Sequence, residues 1–253
     1  MRLVSQLGEL MDFDLNQHLT RQNPGSVVFT STYLTPLPLD RTSVLADVGS
    51  GLGERAAWVA RSRCCQIHAF DRDESNLEYT HQRTEESGSG HLVSLHQPHD
   101  YRQLSLESQS LDLLIAEGVG FDLDPIATLP YWRNYVKPGK HIAIVIPGVI
   151  NRHPPQELVS TLEKRMGRRL GTLEEYHAEI NESELRLVHQ VQFQNYGWVD
   201  HYIALSQMIK GLVKTHPELD NHPQIEQARE ELSWFRQYGQ GRIFLQAFVL
   251  MVP

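Results

Sequence analysis

Residues 44–48, Val-Leu-Ala-Asp-Val, form an apolar run of strand length that passes straight into Gly49-Ser50-Gly51-Leu52-Gly53 and then into an amphipathic stretch reaching Ala60. A strand, a glycine turn and a helix in that order make the opening of a βα unit. Such units accumulate into a parallel sheet with helices packed on its faces. Short apolar runs at 67–70, 92–95, 111–116 and 141–146 continue the pattern, with helical spacing over about 74–86 and 124–135 between them. The second of these helices is expected to stop at Lys137-Pro138-Gly139-Lys140.

Beyond Pro147 the alternation pauses. Residues 155–183 read as helical, 185–193 alternate with period two like a strand, about 200–237 are largely helical, and 243–252 close the chain as a strand. At the other end Leu3, Leu7, Leu10, Met11 and Leu15 predict a helix over 3–20, which Asn23-Pro24-Gly25-Ser26 breaks before a second short helix over 26–34. The expected class is therefore α/β: a doubly wound, seven-stranded, mostly parallel sheet with N-terminal and C-terminal helical additions. We read 1–253 as one domain, with a helical cap at 1–40, a core at 41–199, a helical insertion at 200–240 and the last strand at 241–253.

Composition narrows the function classes. Lys and Arg number 23 against 31 Asp and Glu, a formal charge of −8, and no long basic run is present. Duplex tracking, which rests on phosphate neutralisation, is not expected. No apolar stretch approaches the roughly 20 residues of a spanning helix, and residues 1–9 lack a secretory core. The only cysteines, Cys64 and Cys65, are adjacent, so two reduced thiols and a cytoplasmic location are expected. None of the 13 histidines has zinc-site spacing, so no metal is expected. Asn151-Arg152-His153-Pro154-Pro155 reads as a linker, and Glu163-Lys164-Arg165 with Arg168-Arg169 as a solvated helix face.

The glycine turn carries the chemistry. Glycines after a strand allow a ligand to approach the main chain at a helix N-terminus. The dinucleotide pattern G-x-G-x-x-G fails here, since counting from Gly49 the sixth residue is Glu54 and the third glycine comes one place early. Asp47 and Glu54 flank the turn, and no Lys or Arg lies within it. Those acids repel a diphosphate and attract a ligand bearing an ammonium and a sulfonium. Asp71, at the end of the second strand, stands where an acid accepts both hydroxyls of an adenosine ribose; Asp73 and Ser75 are better placed to cap the next helix.

Asp47-Val-Gly-Ser-Gly-Leu-Gly53 together with Asp71 resembles the class I S-adenosylmethionine-dependent methyltransferases. His99-Asp100 is similar to the family's adenine-binding acid, Ala116-Glu117-Gly118 to the end of its fourth strand, and Trp132 to Gly139 to the stretch before its fifth. Pro24-Gly25-Ser26, Glu117-Gly118 and Trp198-Val199-Asp200-His201-Tyr202 resemble a bacterial small-molecule methyltransferase subgroup. Leu52 replaces the family's common threonine, and Phe121-Asp122 stands where an aromatic-Asn pair is usual.

The resemblance implies a Rossmann-like methyltransferase fold and S-adenosylmethionine as cofactor, held by Asp47, Gly49, Ser50, Gly51, Gly53, Asp71, Arg72, His99, Asp100 and Glu117. It implies methyl transfer to a small molecule, with Glu117 and His201 as candidate catalytic groups. Phe121, Trp198, Tyr202 and Tyr238 are the candidate acceptor contacts. Aromatic faces with carboxylates nearby suit a cationic amine, although aromatics at helical spacing also serve packing. Two other classes stay open: a nicotinamide-dependent oxidoreductase, and a non-catalytic adenosine-ligand module of the same fold. No nucleic-acid or membrane partner is expected, and the protein is read as a monomer or homodimer.

Overall fold

The computed structural model describes residues 13–118, 123–150, 153–194 and 196–253. Seven strands form one sheet: β1 (Val44–Val48), β2 (Gln66–Phe70), β3 (Val93–His96), β4 (Leu111–Glu117), β5 (Val136–Val149), β6 (Arg186–Gln194) and β7 (Ile243–Met251). Their order is β3-β2-β1-β4-β5-β7-β6. Neighbours from β3 to β5 are parallel, and β7 runs antiparallel to both β5 and β6. The order reverses between β1 and β4, so crossovers leave in opposite directions and open a crevice at the carboxyl ends of these two strands.

Alternate residues of each strand feed the two faces. Leu45, Ile67, Leu113, Ala143 and Val249 pack into one core, and Ala46, Val48, Leu114, Ile142 and Phe248 into the other. All seven residues of β4 are buried, as a central strand covered on both faces requires.

The helices are α1 (Val27–Leu34), α2 (Glu54–Arg63), α3 (Glu74–Glu86), α4 (Pro125–Trp132), α5 (Gln156–Met166), α6 (Leu173–Asn181), α7 (Tyr196–Thr215) and α8 (Pro223–Trp234). Their starts follow local chemistry. Ser26 caps α1 by accepting from Phe29 N, Asp73 caps α3 by accepting from Ser75 N, and Asp124 caps α4. Cys64 is exposed and Cys65 buried, both as free thiols.

Several boundaries differ from the sequence reading. Most of the helix expected over 3–20 falls on residues 1–12, outside the described residues. From residue 13 the chain forms only a 3-10 turn, Leu15–His18, and otherwise runs as a strap. Side chains elsewhere hold it: Tyr79 donates to Asp14 at 2.5 Å, Arg83 Nη2 to Leu19 O at 3.1 Å, and Leu15 N donates to Gln224 Oε1 at 2.8 Å.

The helix expected over 124–135 ends at Trp132, whose ring is fully buried with Nε1 donating to Tyr101 O at 2.8 Å. Lys137-Pro138-Gly139-Lys140 is not a loop but part of β5. It sits between the register pairs Leu111↔Val136 and Leu113↔His141 as a bulge, tied down by Lys137 and Lys140 on Asp112 at 2.8 and 3.0 Å and by Gly139 N on Val252 O. The helical stretch at 155–183 is two helices. Left-handed Gly167 ends the first, and the capping box of Thr172 with Glu175 starts the second. The C-terminal helical segment begins at Tyr196 rather than 200. Of the expected linker, residues 151 and 152 lie outside the described residues. Among the described residues no helix is long and apolar enough to cross a membrane.

Candidate active site

The glycine turn is pinned at the crevice. Gly49 N and Ser50 N both donate to Phe70 O, at 2.8 and 3.0 Å, which locks the end of β1 to the end of β2. Asp71 completes the lock: Oδ2 accepts from Gly51 N at 2.8 Å, and Oδ1 from Asp73 N and Asn76 Nδ2 at 3.0 and 3.2 Å. Gly53 (φ +77°) serves packing instead, because a Cβ there would stand 2.6 Å from Thr80 Cα on α3.

Below the turn lies a buried charge network. Glu117, at the end of β4, accepts from Tyr33 OH at 2.5 Å, from Thr30 Oγ1 at 2.8 Å, and from Arg21 Nη1 of the strap. Arg55 of α2 donates through Nε to Asp47 Oδ1 at 2.8 Å and through Nη1 to Glu117 O at 3.0 Å. Arg21 Nε also reaches Glu54 at 2.7 Å. Burial by itself would raise the Glu117 carboxyl, but Arg21, Arg55 and the Tyr33 hydroxyl together hold it below its ordinary value. Gly25 makes the approach possible: its φ is +133°, and a Cβ there would come within 2.7 Å of Arg21 Nη1 and 2.9 Å of Glu117 Oε1.

Above the turn is a cavity of about 590 Å³. Gly49, Gly51, Asp71 and Arg72 line it from the sheet, Tyr101 from beyond β3, Gln22 and Asn23 from the strap, and Glu231 and Arg165 from the far side. A smaller space of about 30 Å³ continues between strap and turn, lined by Ser50, Arg21 and Glu117 among others. There the Ser50 Oγ and Arg21 Nη2 are buried and have no hydrogen-bond partner. Such groups are costly unless a ligand engages them.

A third cavity, of about 80 Å³, adjoins these at Asn23, Gly118 and Arg165 and is otherwise mainly apolar, with Leu123, Ile146, Leu162 and Trp198 in its wall. Arg165 and Arg168 line it, so they are not the solvated face that the charge run suggested. The apolar stripe of Leu158, Leu162 and Met166 packs inward and carries both arginines to the cavity edge. Arg165 Nη1 binds Glu231 Oε1 at 2.7 Å with its guanidinium 5.3 Å over the ring of Trp234. Arg168, only 7 % exposed, is shared by Asp124 and Glu179 at 2.7 and 2.6 Å.

The structure thus gathers Gly49, Ser50, Gly51, Asp71, Arg72, Glu117 and Trp198 around connected spaces. Other sequence candidates fall elsewhere. Asp47 lies beneath the turn against Arg55, and Gly53 faces α3. His99 is exposed, and the Asp100 carboxylate is taken by Arg102 at 2.9 Å. Tyr202 stacks on Phe235 at 4.2 Å and donates to Glu231 at 2.8 Å, while Tyr238 packs against the core. His201 lines neither the polar nor the apolar cavity; burial lowers its pKa to about 4, so the ring is neutral at pH 7. Phe121 lies outside the described residues. Sequence reasoning missed Arg21, Gln22, Asn23, Tyr101, Arg165 and Glu231. A weak signal existed for two groups: Arg21 to Asn23 directly precede Pro24-Gly25-Ser26, and Tyr101 directly follows His99-Asp100.

Residues 46–144 match a family model described as a methyltransferase domain. No curated protein matches the chain. Among solved structures, the chain is similar to a SAM-dependent methyltransferase from Geobacter sulfurreducens in complex with S-adenosyl-L-homocysteine, at 20 % identity, covering 96 % of this chain and 99 % of that one with a TM-score of 0.77. A SAM-dependent methyltransferase from Thiobacillus denitrificans in the same kind of complex follows at 19 % identity, 98 % of each chain and 0.75. Phosphoethanolamine N-methyltransferase 2 from Haemonchus contortus, in complex with phosphomonomethylethanolamine and S-adenosylhomocysteine, gives 15 % identity, 99 % of this chain, 57 % of that one and 0.68. Identities this low speak for the fold, and the family match covers the segment that builds the glycine turn, Asp71 and Glu117. Domain match, strand order and turn geometry meet in one place: residues 46–144 match a methyltransferase domain, and the chain shares the fold of solved SAM-dependent methyltransferases.

Proposed function

We propose that this protein methylates a small molecule held in the apolar cavity beside Gly118. The observation that carries this reading is the junction at Asn23, Gly118 and Arg165, where a polar cavity at the glycine turn meets a smaller apolar one. Gly49, Gly51, Asp71, Arg72 and Tyr101 would hold the adenosine part of S-adenosylmethionine, and the unpartnered Ser50 Oγ and Arg21 Nη2 suit the carboxylate of its amino-acid end. When bound, the cofactor supplies an electrophilic methyl group on a sulfonium.

The chain's own contribution is alignment and exclusion of water. The strap roofs the polar cavity with Gln22 and Asn23, and Arg21 latches it onto Glu117. Both Glu117 oxygens are engaged by donors, so its role in this reading is to hold the strap rather than to accept a proton from the acceptor. His201 supports the α7 wall as a neutral ring. Trp198 is the acceptor contact in this reading, and Tyr202 and Tyr238 shape the wall from behind.

A small acceptor agrees with the cavity volume and with the phosphomonomethylethanolamine held by the Haemonchus contortus protein. The charge of −8 speaks against a nucleic-acid acceptor, and the free thiols suit the cytoplasm. We treat 1–253 as one functional unit, active as a monomer or homodimer. Thermal shift with S-adenosylmethionine, S-adenosylhomocysteine and NAD tests the cofactor, with stabilisation by the first two expected; stabilisation by NAD alone would mean a nicotinamide enzyme. Incubation of labelled S-adenosylmethionine with a metabolite extract tests turnover, and no transfer to any pool would favour a non-catalytic module.

A further inference from the structure

The wall of the apolar cavity is unusual in its polar groups. Among the described residues that line it, Arg165 and Arg168 are the titratable ones, and no acid is present. Trp198 also lines it, is 4 % exposed, and has an Nε1–H with no hydrogen-bond partner. The Asn23 amide donates to Gly118 O at 3.2 Å and is spoken for. Arg168 is saturated by Asp124 and Glu179. Arg165 stands at the junction with its plane set by Glu231 and Trp234 and with the Tyr202 hydroxyl beside it, and one carboxylate with one hydroxyl does not exhaust the five donors of a guanidinium. Among the described residues of the wall the charged groups are donors alone, with the Asn23 Oδ1 as a neutral side-chain acceptor, and such a set complements an acceptor-only group. The planar fork of arginine matches a carboxylate in particular.

The second consideration is the proton. Neither carboxylate nearest the junction is an open base: Glu117 accepts from three side chains, and Glu231, on the polar side, is tied to Arg165 and Tyr202. An amine or alcohol has to lose a proton in the reaction. A carboxylic acid, with an ordinary pKa near 4, arrives without one.

We propose that the acceptor is a small, mainly apolar carboxylic acid bound as its anion, with its carboxylate held at the junction by Arg165 and the Trp198 indole N–H, and that a carboxylate oxygen receives the methyl group. This rests on the methyl-transfer reading above and departs from the cationic amine that the aromatic residues first suggested. The oxygen lone pair forms the new O–CH3 bond while the S–CH3 pair stays on sulfur. Carboxylate and sulfonium thereby become neutral ester and thioether, and no proton moves.

The test is calorimetric titration of the protein loaded with S-adenosylhomocysteine, using benzoate, phenylacetate and branched short-chain alkanoates against their amides and the corresponding amines. Carboxylates are expected to bind at least tenfold tighter than the amides. Arg165→Gln should weaken carboxylate binding 30-fold or more, at least tenfold beyond any loss of S-adenosylhomocysteine affinity, and Trp198→Phe should weaken it three- to tenfold with the affinity for S-adenosylhomocysteine unchanged. If Arg165→Gln does not fold, Arg165→Lys retains the charge without the fork and should show a smaller loss. With S-adenosylmethionine, mass spectrometry should detect the methyl ester of a bound acid. Equal or better binding of amides or amines, no carboxylate bound, no effect at Arg165, or binding without ester would each overturn the proposal. Labelled methyl transfer from an extract into an amine pool would overturn it while leaving methyl transfer standing; absence of all transfer would instead remove the underlying reading.

Discussion

The two cavities that meet at Gly118 are built by different means. The polar one has a floor that grows out of nearby chain, namely β1 and its turn, Asp71 at the end of β2 and Tyr101 just past β3, and takes its roof and far wall from the strap, Arg165 and Glu231. The apolar one draws on the strap, the ends of β4, β5 and β7, α5 and α7, segments far apart in sequence. The difference teaches that a site assembled from backbone turns leaves a local signature, whereas one assembled from side chains of distant elements does not. Glu117 joins the halves, since its partners come from the strap, α1 and α2.

The largest effect should come from breaking that joint. Glu117→Ala leaves Arg21 and Arg55 buried with a partner lost, which costs about 3–5 kcal/mol; chemical denaturation should show it, together with weaker S-adenosylhomocysteine binding. A loss under about 1 kcal/mol would mean the halves are not held together there. Asp71→Ala strikes the polar half alone. Cofactor affinity should fall tenfold or more, in keeping with about 1.5–3 kcal/mol for hydrogen bonds to a charged group, and isothermal titration with unchanged affinity would refute the ribose assignment.

Gly53→Ala probes the scaffold under that half. The residue sits at φ +77° and its new methyl would meet Thr80 Cα at 2.6 Å. We expect about 1–3 kcal/mol of destabilisation from overpacking and strain, read as a fall in the denaturation midpoint. Full stability would show that α2 and α3 separate easily.

The smallest effect near neutral pH belongs to the acceptor half. His201 has its pKa depressed from 6.5 to about 4 by burial, so between those values the unfolded chain takes up a proton that the folded chain refuses. Its contribution is complete above pH 6.5 and is lost as pH falls toward 4, with a slope of up to about 1.4 kcal/mol per pH unit. His201→Gln should flatten stability over that window. An unchanged slope would place the ring in solvent.

Much of this molecule was legible because local rules and global topology agree. The apolar runs at 44–48, 67–70 and 111–116 are close to the strands observed, α3 occupies the residues expected, and the seven-stranded, mostly parallel, doubly wound sheet is the one expected, while the antiparallel direction of β7 was not read from the chain. Boundaries failed where long-range contacts decided. Lys137 to Lys140 joined β5 because Asp112 and Val252 bind it, and Arg165 lies half-buried at the cavity edge because α5 turns an apolar stripe inward.

By itself the sequence determined the strand-turn-helix unit and the place of Asp71 and Glu117 at strand ends, around which the proposed cofactor site is drawn, because these depend on short-range periodicity and on backbone geometry that only glycine adopts readily. Tertiary structure alone decided that Arg21 reaches Glu117 across 96 positions and that Arg165 meets Glu231 across 66. Loop closure over such separations leaves no periodic trace in the chain, and the pairing of buried charges is settled only when the folded elements bring them together.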